Sequence, residues 1–427
     1  MKVQNGPDET AVAEWRSNWT TVLVASLGIS LSTAHLYSQG LFFAPLEREF
    51  GWSRTVITTG PFILSVAAAI GIFFAGRLAD RLGPRRVVIP GLLLYGAAVA
   101  LLTLTSGREW QWYGNWLLIA LAFPLVTASV WTAAIVSRFK ASRGLALAVA
   151  LAGTGLSSSL TPLVVEATIE NYGWRPAFGI IPFFAVAIVL PLALLLFDRR
   201  KSRDPMTDGP AAPKRVPLSA ADLRTAVVSP AFLYLLAASM VFAFSVLALM
   251  AHFVPFVTGK GLDRASAAAA VSAVGLCSIA GRLTTGFLLD RFSSTAVAAV
   301  AFAIPLVALL GLFHYDGSFI HALLIAIVLG ASLGAEVDII AFLTARYLGV
   351  RNYSAFLGLV QGCTALAVGS GPFVGSLIYD STGSYDGLLW TCVPLLVAGV
   401  GAILMLGRQP SLALVLDRVP APTPVVA

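Results

Sequence analysis

Charge is what this chain has least of. Asp, Glu, Lys and Arg together make up 11% of its 427 residues, against about 25% in a typical soluble domain. A water-soluble fold of this length, and a disordered chain, are both excluded by that figure. The net charge of +7 rests on only 28 basic and 21 acidic residues, too sparse a field for nucleic-acid binding. Cysteine is nearly absent as well: Cys277, Cys363 and Cys392 each sit inside an apolar run, which gives neither a disulfide framework nor a zinc set. The four histidines are scattered. With no metal-spaced cluster, nucleotide loop or serine elbow, a membrane enzyme has no support. The first 18 residues are polar and carry Asp8, Glu9, Glu14 and Arg16. They lack a basic start and a small-residue cleavage site, so the apolar run that follows reads as an anchor and not a signal peptide.

What the chain does have is apolar length. Hydrophobic residues are 58% of it and the mean hydropathy is +0.85, the composition of an integral membrane protein. A spanning helix needs about 20 apolar residues. Such runs lie near 19–44, 55–76, 87–106, 113–137, 145–169 and 176–197, then near 230–256, 266–289, 295–313, 319–343, 353–378 and 387–407. The fold class expected is therefore all-α, with twelve transmembrane helices in two six-helix halves. Residues 198–228, rich in charge and proline, read as a cytoplasmic linker between an N-terminal half (1–197) and a C-terminal half (229–427). If both termini are cytoplasmic, 21 of the 28 basic residues fall on the inner side and six on the outer. That bias predicts a multi-pass protein of the cell (plasma or inner) membrane with both termini inside. The sequons at Asn18 and Asn352 then face the cytoplasm and should carry no glycan.

The halves are copies at a fixed offset of 210 residues. Phe43-Ala44-Pro45 returns as Phe253-Val254-Pro255, and Gly51 and Arg54 return as Gly261 and Arg264. Gly76, Leu78, Asp80 and Arg81 return as Gly286, Leu288, Asp290 and Arg291, while Pro162 and Gly173 return as Pro372 and Gly383. A duplicated six-helix unit suits a transporter whose site lies between the halves.

The loop after helix 2 reads Gly76-Arg77-Leu78-Ala79-Asp80-Arg81-Leu82-Gly83-Pro84-Arg85-Arg86. It resembles the signature G-x-L-x-D-R-x-G-R-R of the major facilitator superfamily. Gly76, Asp80, Arg81, Gly83, Arg85 and Arg86, with Asp290 and Arg291 in the degenerate second copy, are accordingly expected to gate, as a charged latch between helix ends. GLFFAPLEREFGWSR (Gly40 to Arg54), FKASRGLALAVALAGTG (Phe139 to Gly155) and the run from Gly334 to Arg351 are similar to the monocarboxylate-transporter-like and oxalate/formate-antiporter-like group. In that group an arginine in helix 8 meets the substrate carboxylate, and Arg282 occupies the place. The chain departs from the group twice. The acidic-glycine-aromatic signature at the start of helix 1 is missing, and Ser278 stands where the group has an Asp one turn before the arginine.

Arg282 also draws attention on physical grounds. It lies eight residues from Asp290, about 12 Å into the span, where an arginine costs roughly 2.5–3.5 kcal/mol on insertion scales. Its stem covers only about half that depth, so snorkelling does not explain it. A planar donor fork for a carboxylate does. Helix 10 carries Glu336 and Asp338, about 200° apart around the axis, so at most one faces Arg282. A buried carboxylate can take a proton near neutrality, which makes both candidates for proton coupling. Asp338 lies as far from Arg346 as Arg282 does from Asp290, which favours it. The remaining substrate-binding candidates are His252, Tyr37, Gln361, Cys363 and Thr364. Asn115, Trp110, Trp112 and Trp116 read as an interfacial aromatic belt.

The function expected is a proton-coupled symporter of a small monocarboxylate, such as a lactate-like acid, working by alternating access. The alternatives are an organic-anion exchanger of the oxalate/formate type, which would want a second cavity cation, and an uptake carrier for aromatic carboxylates. No cofactor is expected beyond the proton as coupling ion. The partners expected are the carboxylate substrate and the lipid bilayer, with no nucleic acid, for a monomeric carrier.

Overall fold

A computed structural model describes residues 7–197, 227–349 and 353–407. Nearly all of the expected linker, the Asn352 sequon and the C-terminal tail lie outside these described residues. Twelve helices long and apolar enough to cross a membrane follow in order. The first half holds α1 (Pro7–Ser38), α2 (Arg54–Leu82), α3 (Pro84–Ala100), α4 (Glu109–Arg138), α5 (Arg143–Tyr172) and α6 (Trp174–Leu196). The second holds α7 (Pro230–Gly259), α8 (Arg264–Arg291), α9 (Ser294–Phe313), α10 (Phe319–Leu348), α11 (Tyr353–Thr382) and α12 (Asp386–Met405). Twelve crossings leave Pro7 and Met405 on one face of the bundle, here the terminal face; the other is the distal face.

The 210-residue repeat is built into the backbone. Gly51 and its counterpart Gly261 have φ of 68° and 104°, and Gly173 and Gly383 have φ of 87° and 70°. These left-handed values favour glycine at the matching distal turns of each half. Ser53 caps α2 by accepting from the Val56 N–H, and Asp263, at the same offset, caps α8 by accepting from the Ser266 N–H. Such caps satisfy donors that a helix start otherwise leaves open, each contributing about 1 kcal/mol.

Within each half, glycines let helices close on large side chains. Gly28 of α1 lies against the Trp131 indole and Gly60 of α2 against that of Trp116. Trp112 and Trp116 are buried in the N-terminal half, and the Asn115 amide donates to the Leu101 carbonyl. Of the expected interfacial belt only Trp110 is exposed. The other two tryptophans are core residues, and Gly60 opposite Trp116 makes room for its whole indole.

The tightest seam joins α8 and α10, which run parallel. Gly330 abuts the backbone of Val274, and Gly334 abuts the carbonyl of Ser278. Small residues four apart allow backbones to meet in a membrane, where packing drives helix association. One further step of four on each helix brings Arg282 opposite Asp338. A methyl group at Gly334 would overlap the Ser278 carbonyl, whereas Gly114 has open space around it. Gly334→Ala should therefore destabilise by about 1–3 kcal/mol, seen as a lower melting temperature in detergent, with Gly114→Ala unchanged. Equal melting temperatures for both variants would contradict the seam.

Candidate functional site

The seam delivers Arg282 and Asp338 to one another. Arg282 Nε lies 3.3 Å from Asp338 Oδ2, with the side chains 23% and 35% exposed. Those exposures leave the pair reachable by a solute. Because Asp338 engages the guanidinium from its Nε side, the two terminal nitrogens remain as a donor fork; neither has a hydrogen-bond acceptor among the described residues. Tyr37 of α1 lies near enough for the Arg282 charge to act on its hydroxyl. The cluster thus spans both halves of the molecule.

Glu336 points elsewhere. It is 6% exposed and sits 2.6 Å from the Ser239 hydroxyl of α7, which in turn lies 2.9 Å from the Thr364 hydroxyl of α11. Thr364 donates to the Val360 carbonyl at 2.8 Å. Thr364 therefore belongs with Glu336 and not with Arg282. Gln361 and Cys363 are half-buried on the same helix, and no hydrogen bond joins them to Arg282.

His252 lies apart from the Arg282 cluster, near the distal face. Both of its ring nitrogens are engaged, Nδ1 at 3.0 Å from the Tyr385 hydroxyl and Nε2 at 2.9 Å from the Pro372 carbonyl. A carbonyl only accepts, so Nε2 carries the hydrogen and Nδ1 accepts from Tyr385. Arg54 then donates to the Tyr385 hydroxyl, and its guanidinium lies 3.6 Å over the Tyr379 ring. In this conformation His252 is part of a closure between the halves.

That closure has two arginine clasps related by the repeat. In one, Asp380 of α11 accepts from the backbone N–H groups of Arg54 and Thr55 at 3.2 and 2.8 Å, so a carboxylate of one half caps a helix of the other. Arg54 Nε also donates to Glu47 at 2.6 Å. In the second, Arg264 of α8 binds Glu166 of α5 through two bonds of 2.7 Å and donates to the Leu41 carbonyl at 3.0 Å. Glu166 is 4% exposed. Sequence reasoning placed Arg54 and Arg264 at matching positions but missed their acids. Asp380 at the 210 offset from Glu170 was a signal available for one of them.

A cleft of about 620 Å³ on this face is bordered by Arg48, Glu49, Glu166, Glu170, Asp263 and Arg264. The Trp174 indole N–H, then Arg175, holds the Glu49 carboxyl below the usual range. Between the halves below the clasps, α5 meets α8 through Gly155 and Gly275, and Phe62 of α2 stacks on Phe373 of α11 at 4.9 Å. A cavity of about 190 Å³ lies beside them, bordered by Thr33, Gln39, Pro61, Ser65, Phe123 and Val368. Its Gln39 amide nitrogen is buried and unpartnered.

The hydrogen bonds and ion pairs seen between the halves are at the distal end. At the terminal end, Asp80, Arg81, Arg86, Asp290 and Arg291 are exposed, and among the described residues Asp80 has no ion-pair partner. The expected latch is unmade in this conformation. Arg85 instead donates to the Leu194 carbonyl within its own half at 2.5 Å, and Arg291 lies over the Phe287 ring. Gly76 and Gly286 have nothing near them that a side chain would strike. Gly83 takes φ of 86° in the turn from α2 to α3. Among the described residues no group of acids, histidines and cysteines is placed to hold a metal.

Twelve spanning helices in two repeated halves are the architecture of a membrane transporter. The sequence profile of the Major Facilitator Superfamily matches residues 22–350, and the chain belongs to that family. It is 24% identical over 393 residues to Monocarboxylate transporter 13 of Rattus norvegicus, covering 91% of this chain and 88% of that protein. Monocarboxylate transporter 12 of Xenopus laevis is 22% identical over 362 residues, covering 81% and 77%. An MFS-type transporter of Gibberella moniliformis is 24% identical over 371 residues, covering 86% and 84%. Among solved structures, a bacterial homolog of the human lysosomal transporter Spinster superposes with a TM-score of 0.68 at 15% identity, covering 98% of this chain and 100% of that one. A mutant of the nucleoside transporter NupG does so with 0.74 at 11% identity, covering 91% and 99%.

The two ends predict opposite responses to charge removal. Hydrogen bonds to charged groups contribute about 1.5–3 kcal/mol, so Glu166→Gln should shift the equilibrium about tenfold or more toward a distal-open state. Labelling of a Ser65→Cys reporter, in a background without the native cysteines, should speed up accordingly. Asp80→Asn should slow it or leave it unchanged, since among the described residues Asp80 pairs with none and would latch only the other state. Unchanged labelling in Glu166→Gln would show that the clasp does not hold the closure.

Proposed function

We propose that this transporter carries a small monocarboxylate together with a proton. The observation that carries the reading is the Arg282–Asp338 pair, partly exposed between the halves and within electrostatic reach of Tyr37. Asp338 lies against the guanidinium on its Nε side. The free terminal nitrogens form the parallel fork that a carboxylate accepts in bidentate fashion. A substrate anion crossing alone would add one negative charge to the site, and a proton carried with it cancels that charge. The similarity to monocarboxylate transporters supports the substrate class. Among the described residues, Arg282 is the one Lys or Arg placed well inside a span, which favours symport over anion exchange.

The terminal face is taken as cytoplasmic, from the distribution of basic residues in the sequence. On that orientation, in a cell membrane, the conformation described is closed outside and open inside. Transport then requires the distal clasps to part while the Asp80 loop closes, with Arg282 exposed to one side at a time. The Tyr37 hydroxyl would touch the bound acid from the opposite half. Gln361 and Cys363 are the α11 side chains that could border its tail.

Lysine keeps the charge at this position but loses the fork and the Nε contact to Asp338. Arg282→Lys should therefore weaken binding of a labelled monocarboxylate to purified protein by tenfold or more, about 1.4 kcal/mol or above. The melting temperature should stay near that of the parent. Parental affinity in the lysine variant would remove Arg282 from the site.

A further inference from the structure

We propose that the proton is held on Glu336, and not on Asp338, in this conformation. The proposal rests on the reading of a proton-coupled carrier and names the group that binds its coupling ion. It follows from counting hydrogens. Three oxygen pairs stand in a row: Glu336 to Ser239 at 2.6 Å, Ser239 to Thr364 at 2.9 Å, and Thr364 to the Val360 carbonyl at 2.8 Å. Each pair needs one hydrogen between its oxygens, and the two hydroxyls supply only two.

The carbonyl end fixes the direction. Val360 can only accept, so the Thr364 hydrogen is spent there. Ser239 must then donate to Thr364, since otherwise two oxygens would face each other at 2.9 Å with no hydrogen between them. That leaves the pair of Glu336 and Ser239, the shortest of the three. Its hydrogen can come only from the carboxyl group itself. A protonated Glu336 completes the chain Glu336 to Ser239 to Thr364 to Val360, and an ionised one breaks it. An O–H···O contact of 2.6 Å fits a carboxylic acid donor.

The surroundings agree. Glu336, Ser239 and Thr364 are 6%, 1% and 5% exposed, a poor place for an unpaired charge. The charged groups nearby are Asp338 on the same helix, which would repel an ionised Glu336, and Arg282 on α8, which faces Asp338. Helices α7 and α11 offer hydroxyls at this point. Two acids two residues apart are thus held in different states: Asp338 ionised against its arginine, Glu336 neutral among hydroxyls. The chain also ties α7, α10 and α11 together, so loss of the proton loosens the C-terminal half.

Glutamine at 336 retains a hydrogen donor toward Ser239, keeping the chain while removing the titration. Two measurements separate this proposal from the substrate assignment. Infrared spectra of the purified protein without substrate should contain a protonated carboxylic acid band that Glu336→Gln removes and Asp338→Asn does not. Thermal stability should fall as pH rises through neutrality in the parent, because the folded state holds a proton that the unfolded chain releases at lower pH. Glu336→Gln should flatten that decline. In proteoliposomes Glu336→Gln should exchange labelled for unlabelled monocarboxylate yet fail to accumulate it under an inward proton gradient. A carboxylic acid band lost in Asp338→Asn instead, or normal accumulation by Glu336→Gln, overturns the proposal. If the parent moves no monocarboxylate at all, the substrate assignment fails, and the infrared and stability results still decide where the proton sits.

Discussion

The close contact of α8 with α10 is the constraint on which the site depends. Gly330 and Gly334 let the two backbones touch at Val274 and Ser278, and the next step of four sets Arg282 against Asp338. An arginine and an aspartate carried deep into a membrane would each be costly alone. Held in register by the glycines, they form a neutral pair whose geometry is fixed by backbone packing and not by long side chains searching for one another. The same register turns Glu336 away from Arg282 and into the hydroxyls of α7 and α11. One packing decision thus separates two acids on one helix, giving one an arginine and the other hydroxyls as partners.

The other organising feature is asymmetry between the two ends of the inter-half surface. At the distal face, Arg54 with Asp380 and Arg264 with Glu166 apply one device twice, as expected from a duplicated unit whose copies pack about a pseudo-twofold axis. The copies have diverged in detail. The first clasp uses a carboxylate to cap a helix of the opposite half, and the second uses a two-bond arginine–carboxylate pair. At the terminal face, Asp80 and its neighbours stand exposed. A carrier needs two closures of similar strength that are never made together. The distal residues supply one, and the signature loop has the charges to supply the other.

Much of this was legible in the sequence. Apolar runs of spanning length have few structural outcomes in lipid, and the 210-residue offset marked the distal turns where glycines adopt positive φ. Arg282 stood out because an arginine at that depth demands a partner, and equal depth along the two helices pointed to Asp338. What was not legible was rotation. Helices as apolar as α7 and α11 have little polar–apolar contrast around their circumference, so periodicity does not tell which face meets which neighbour. His252 therefore read as a substrate contact, although its partners Tyr385 and Pro372 make it part of a closure. Thr364 read as a companion of Gln361, although Ser239 draws it toward Glu336. Trp112 and Trp116 read as an interfacial belt, because nothing in their own segment announces the glycine of α2 that receives one of them. The Gly330 to Gly334 spacing was present in the sequence and is the signal from which the seam could have been foreseen.

The central claim is that a carboxylate and a proton cross this protein together through the Arg282 site. The most direct measurement is uptake of a labelled monocarboxylate by proteoliposomes containing the purified carrier, with and without an imposed inward proton gradient. Concentrative uptake that depends on the gradient, collapses with a protonophore and vanishes in Arg282→Lys is the predicted result. Uptake indifferent to the proton gradient, or retained in full by Arg282→Lys, would contradict it.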